Sequence, residues 1–152
     1  MKTDLTVGAF IFCNDELLLI YHRKLRLWLP PGGHIEKDET PDDAVLREIQ
    51  EETALNVKLL NVPQLPAYGA VVKHLATPFY VNVHNVGDHD HVGFYYIASA
   101  EDKDQVTINE DELTAFKWFT LEELEKDERV SKEVRSLSRR AFTEFSKVDL
   151  FC

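Results

Sequence analysis

Residues Gly33–Leu55 read GHIEKDETPDDAVLREIQEETAL. Thr40, Pro41 and Asp43 are helix start signals: a hydroxyl to cap free amides, a proline at the first helical position and an acid three residues after the cap. The helix expected over Thr40–Thr53 turns by about 100° per residue, which sets Val45, Leu46, Ile49 and Thr53 on one side. The same count gathers Glu48, Glu51 and Glu52 on an adjoining side. Glu48 and Glu52 are an i,i+4 pair, and like charges at that spacing destabilise a helix by about 0.2–0.5 kcal/mol. Arg47 is the neighbouring cation, and one guanidinium cannot neutralise three carboxylates. Spacing alone leaves two readings open, a solvated acidic face or a set of oxygen ligands for a hard divalent cation.

The rest of the chain sharpens that question. Its 152 residues suit one domain, 1–152, with a single core, and an apolar content of 44% is ordinary for a folded protein. Lysine and arginine number 17 against 27 acids, a net charge of −10. That balance disfavours binding to long nucleic acid by phosphate neutralisation, and it repels small phosphate ligands too unless a cation intervenes. No apolar run approaches the roughly 18 residues of a membrane span, and the first residues do not read as a secretion signal, so a cytoplasmic protein is expected. Cys13 lies in an apolar run and Cys152 is the last residue, which offers no disulfide framework.

Leu5–Cys13 and Glu16–Arg23 read as strands joined at Asn14-Asp15. The segment LRLWLPPGGHIE that follows is rich in proline and glycine, so an irregular backbone is expected there. Asn56–Val62 and the runs YGAVVKHL, PFYVNVHNV and HVGFYYIAS are strand candidates, as is Ala115–Phe119. Thr120 and Glu123 form a capping box for a helix, and a last helix begins near Ser131 with Val134, Leu137, Ala141, Phe145 and Val148 on one stripe. The order suggests an α/β (α+β) fold, a mixed sheet with helices packed against it.

Gly33, Glu39, Arg47-Glu48, Ile49, Glu51-Glu52 and Leu55 together resemble the Nudix box, the signature of the Nudix hydrolases. The lead-in LWLPPGGHIE is similar to the family's approach to its box. Ala54 stands where the family's pattern has glycine, a departure that bears on the helix exit rather than on the carboxylates. The resemblance implies a Nudix-like α/β/α sandwich. It also implies magnesium- or manganese-assisted hydrolysis of a nucleoside diphosphate linked to another moiety. By position, Glu48, Glu51, Glu52 and the Gly33 carbonyl would bind the metal. Arg47 would orient the glutamates, and Glu39 would support the junction of loop and helix. Glu48, Glu52 or an acid outside the box would take the proton of the attacking water, and Glu112, in a loop before Ala115–Phe119, is the outside candidate. A homodimer is compatible with the resemblance, and a catalytically silent nucleotide sensor is the alternative reading.

Substrate-binding candidates are fewer. His34 follows the double glycine, where it either reaches the phosphates or simply faces solvent. His89 and His91 alternate at a strand start and so share a face, which suits a phosphate or ribose contact. Zinc is not expected, because the sequence shows no set of ligands at familiar spacing. Trp28 and Tyr68 are candidates for stacking on a base, although rings of this kind more often pack in the core or at its rim. The residues do not name the nucleotide.

Overall fold

The computed structural model describes residues 2–149; Cys152 lies outside them. Its centre is β1 (Thr3–Cys13), joined through Asn14 in a left-handed conformation (φ 55°) to β2 (Glu16–His22). Next come β3 (Trp28–Leu29), β4 (Gly32–His34) and helix α1 (Pro41–Thr53). Strands β5 (Lys58–Leu59), β6 (Tyr80–Asn85), β7 (Asp90–Ser99) and β8 (Leu113–Phe119) follow, then helices α2 (Leu121–Lys126) and α3 (Lys132–Asp149).

All eight strands belong to one mixed sheet. β1 runs parallel to β7 along the register Thr3–Phe12 against Asp90–Ser99. Its other edge is shared by β2, paired antiparallel at Ile11–Cys13, and by β4, paired antiparallel at Thr6–Gly8. The sheet's two faces are both covered, which is why β1 reads as a nearly unbroken apolar run. Alternation along β1 sends Val7, Ala9, Ile11 and Cys13 to one face, where Ala44, Val45 and Ile49 of α1 meet them. Phe10 and Phe12 point the other way, into a cluster with Leu124 of α2 and Val134 and Ala141 of α3. Phe145 stacks on Phe12 at 4.4 Å. The result is the α/β/α sandwich expected.

Helix α1 has the cap that was read from sequence. Asp43 N–H donates to Thr40 Oγ1 at 3.1 Å, and Thr40 N–H donates back to the Asp43 carboxylate at 3.4 Å. Val45, Ile49 and Thr53 are buried, whereas Leu46 is exposed. At the other end Ala54 takes the left-handed conformation (φ 61°, ψ 12°), and its N–H donates to the Gln50 carbonyl. Alanine therefore holds the glycine geometry instead of extending the helix.

Four expectations need correction. YGAVVKHL forms no strand; Val71 and Val72 are exposed, and no strand of the sheet pairs with this segment. Asn56–Val62 shrinks to Lys58–Leu59, since β5 meets only the end of β7 and Asn61 turns left-handed (φ 61°). The proline-glycine segment contains two short strands, β3 and β4. Trp28 is a core residue, 5% exposed, enclosed by Tyr21 and Phe119, and offers no face to a base. Among the described residues no helix is long and apolar enough to cross a membrane.

Left-handed backbone costs a residue with a Cβ about 1–2 kcal/mol, against a smaller entropic cost for glycine in the unfolded chain. Ala54→Gly is therefore expected to stabilise the protein by about 0.5–1 kcal/mol. Thermal unfolding should show this as a rise of about 2–4 °C per kcal/mol. A lowered melting temperature would mean that the strain at Ala54 is relieved elsewhere.

Candidate functional site

Strand β4 is thin because it is made of glycines where it passes the helix. A Cβ on Gly32 would lie 2.2 Å from the Val7 carbonyl, and one on Gly33 would lie 2.4 Å from Glu48 Oε1. The close approach lets Gly32 N–H donate to Glu52 Oε1 at 2.8 Å. From the same helix Arg47 reaches back. Its Nε and Nη2 donate to the two oxygens of Glu39 at 2.6 and 3.0 Å, a bidentate pair, and Nη2 also donates to the His34 carbonyl at 2.9 Å. Nη1 donates to Glu48 at 2.9 Å and to Glu51 at 3.3 Å. Arg47 thus ties loop, strand and helix together, and Glu39 is its principal partner.

The loop before β8 closes the other side. Asn109 N–H donates to the Glu52 carbonyl and Thr107 N–H to the Thr53 carbonyl, so this loop is docked on the end of α1. Arg23 Nη2 donates to the Glu110 carbonyl at 2.8 Å, and Arg23 N–H donates to the Glu112 carbonyl. Exposed Glu112 is thereby brought to a cavity of ≈ 390 Å³ that Glu48, Glu51, Glu52, Arg47, Gly33 and His22 also line. His22 and Asn109 had no sequence signal, because neither belongs to the local helix pattern.

Electrostatics divide the acids. Burial pushes the Glu52 carboxyl up to about 8, with the Gly32 N–H opposing and the charges of Glu48, Glu112 and Glu51 adding to the rise. Burial also raises Glu48, against the pull of Arg47. Glu39 is held below the usual carboxylate range by its hydrogen bonds from Arg47. Across the cavity, burial lowers His22 while Glu112 opposes the shift. Glu48, Glu51 and Glu52 line one cavity, but among the described residues they do not converge to within 4.8 Å of one another as a ligand triad. Arg47 engages Glu48 and Glu51, while Glu52 is engaged by the Gly32 N–H.

A larger cavity of ≈ 580 Å³ lies across β4, and the two share His22, Gly32, Gly33 and His34 as walls. Phe10, Leu29, Val134 and Leu137 give it apolar surface, and Asn82, Tyr95 and Glu133 give it polar groups. His91 and His84 stand at its edge. His89 meets His91 at 3.1 Å between their Nε2 atoms, so the shared face read from their spacing is real. His34 lies 3.5 Å from Asp4, a residue that sequence reasoning missed. Tyr68 is 75% exposed and lines neither cavity.

The raised Glu52 sets a stability signature with a definite sign. The folded protein keeps a proton that the unfolded chain releases near its ordinary value of 4.5, so this contribution is full below that value and is lost as pH rises through about 8. Chelator-treated protein should lose melting temperature over this window, and Glu52→Gln should lose less. Parallel pH curves for the two proteins would show that Glu52 is not buried as described.

The NUDIX domain family matches residues 2–141. A probable DHNTP pyrophosphohydrolase of Lactococcus lactis is 30% identical over 131 residues, covering 86% of this chain and 71% of that one. An 8-oxo-dGTP diphosphatase of Proteus vulgaris is 30% identical over 86 residues, 53% of this chain and 77% of its own. A crystal structure of a NUDIX-family hydrolase from Clostridium perfringens superposes with a TM-score of 0.79 at 28% identity, covering 95% of this chain and 99% of that one. With that match spanning the strand, loop and helix that form the acidic cavity, the chain belongs to the Nudix hydrolases.

Proposed function

We propose that the chain is a divalent-metal-dependent pyrophosphohydrolase of small nucleotides, cleaving a diphosphate that links a nucleoside to another group. One observation carries the reading: the Glu52 residue is only 6% exposed, and no lysine or arginine pairs with its carboxylate among the described residues. An anion buried in that state is costly unless it is protonated or meets a cation. The donors suit a hard ion, since they are carboxylates beside a strand whose missing Cβ atoms leave room. Magnesium or manganese would be held by Glu48, Glu51 and Glu52 with the Gly33 carbonyl. When bound, the ion supplies charge neutralisation for the diphosphate and acidifies water at the site.

The chain's own residues do the remainder. Arg47 holds Glu48 and Glu51 in place and keeps Glu39 and the loop from swinging out. The larger cavity receives the nucleoside half, with apolar walls for a flat ring and Asn82 and Glu133 for its polar edge. The diphosphate crosses β4 into the acidic cavity. Glu112 faces that cavity from the docked loop and is not needed to hold the ion, so it takes the proton from the attacking water. A silent sensor would not need an acid of this kind opposite three others.

A panel of nucleoside triphosphates, 8-oxo-dGTP, DHNTP, ADP-ribose, nucleotide sugars and dinucleoside polyphosphates, each with magnesium, tests the reading. Release of phosphate, pyrophosphate or a mononucleotide from at least one class is expected, with DHNTP and 8-oxo-dGTP tried first because relatives bearing those names are similar to this chain. No turnover on any of them would leave binding without hydrolysis. Glu52→Gln should lower kcat and weaken magnesium affinity together. Glu112→Gln should lower kcat by about 10²–10⁴-fold with magnesium affinity unchanged, the range a positioned proton acceptor contributes. A loss below tenfold in Glu112→Gln would move the base to a box glutamate.

A further inference from the structure

Outside the acidic cavity, strand register brings four metal-ligating side chains to one point. The parallel pairing of β1 with β7 sets Asp4 beside His91, and the antiparallel pairing of β1 with β4 sets Thr6 opposite His34. Asp4 and Thr6 share a face by the period of two, so Asp4 is the diagonal neighbour of His34. His89 precedes β7 by one residue and shares the face of His91. Backbone pairing, rather than flexible side-chain reach, therefore holds the four positions together.

Asp4 Oδ2 lies 3.5 Å from His34 Nε2 and 3.3 Å from His89 Nε2, and His89 Nε2 lies 3.1 Å from His91 Nε2. One ligand atom from each of the four falls within 4.8 Å of all the others. Zinc bonded at about 2.0–2.1 Å in a tetrahedron separates its ligand atoms by about 3.3–3.4 Å. Three of the observed separations already lie close to that edge. His89 Nδ1 is 2.6 Å from Asp88 Oδ1, so an Nδ1–H donated to this carboxylate leaves the Nε2 lone pair aimed inward. That arrangement orients an imidazole for a metal. Lys2 Nζ reaches only the outer oxygen of Asp4, at 3.6 Å, and His84 packs against His91 at 5.3 Å.

With His89 Nδ1–H given to Asp88, the His89–His91 contact needs His91 Nε2 to donate, whereas a shared ion would take the lone pairs of both rings at once. We infer that Asp4, His34, His89 and His91 form a second metal site, for zinc or a similar borderline divalent ion. Three imidazoles and one carboxylate select such an ion over magnesium, which prefers oxygen ligands and its own water. The site fastens the β6–β7 turn to β4. His34 follows Gly33 directly, and its carbonyl accepts from Arg47, so the bound ion also stiffens the edge of the acidic cavity.

Stripping the protein with a chelator and titrating zinc in the presence of excess magnesium tests this. One equivalent should bind by calorimetry, survive gel filtration by elemental analysis and raise the melting temperature. Cobalt in its place should give the intense visible absorption of a tetrahedral site. His89→Ala/His91→Ala should weaken zinc binding by about 100-fold or more, with folding checked by circular dichroism. His89→Gln, at the turn, is the substitute if the double variant does not fold, and it should show the same direction. Glu52→Gln should keep the zinc. Absence of stoichiometric zinc, equal affinity in the histidine variant or loss of zinc in Glu52→Gln would each overturn the assignment.

Discussion

Two residues without side chains set the geometry of the whole site. Gly32 and Gly33 let β4 lie against β1 on one side and α1 on the other, closer than any Cβ permits. The Gly32 N–H then has only the helix to point at, and Glu52 accepts from it. The chain behind Gly33 turns so that the His34 carbonyl meets Arg47. Strand, loop and helix become one rigid unit before any ligand arrives, which is what a site holding charges in fixed positions requires.

That rigidity comes with an electrostatic cost that is distributed unevenly. Arg47 is spread over Glu39, Glu48 and Glu51, and it leaves Glu52 alone. The buried acid is the one without a cation, while the better paired acids are more open to water. A structure selected only for stability would reverse that order, because solvent tolerates an unpaired carboxylate and the interior does not. The arrangement makes sense for a chain whose resting state is completed by something doubly positive.

How much of this could be read from sequence depends on how local the cause is. Helix α1, its capping box and the identity of the three glutamates follow from residues three and four apart, and they were legible. Glu112 was named because an acidic loop precedes a strand, and the structure sets it at the acidic cavity, although the loop's docking on α1 through Asn109 was not visible. β3 and β4 are two and three residues long, and β4 is mostly glycine, so no periodicity announces them. YGAVVKHL failed for the opposite reason: its β-branched residues have the right propensity, yet the chain there pairs with no strand. Trp28 was misread because an aromatic ring serves core and ligand equally well, and only its neighbours decide. Asp4 was out of reach altogether, since its meeting with His91 depends on a parallel register across most of the chain.

The two donor sets differ in chemistry, and β4 stands between them. Oxygen atoms collect on the helix side, while imidazoles collect on the side of the β6–β7 turn. Hard and borderline ions prefer different ligands, so two such donor sets can discriminate between ions only while they stay apart. Here the separation is one residue wide. The His34 carbonyl is fixed by Arg47 and belongs to the acidic cavity, while its side chain faces Asp4 and belongs to the histidine cluster. The one residue thus serves both donor sets, its peptide oxygen on the Arg47 side and its imidazole on the Asp4 side, so a displacement of β4 would be felt at both.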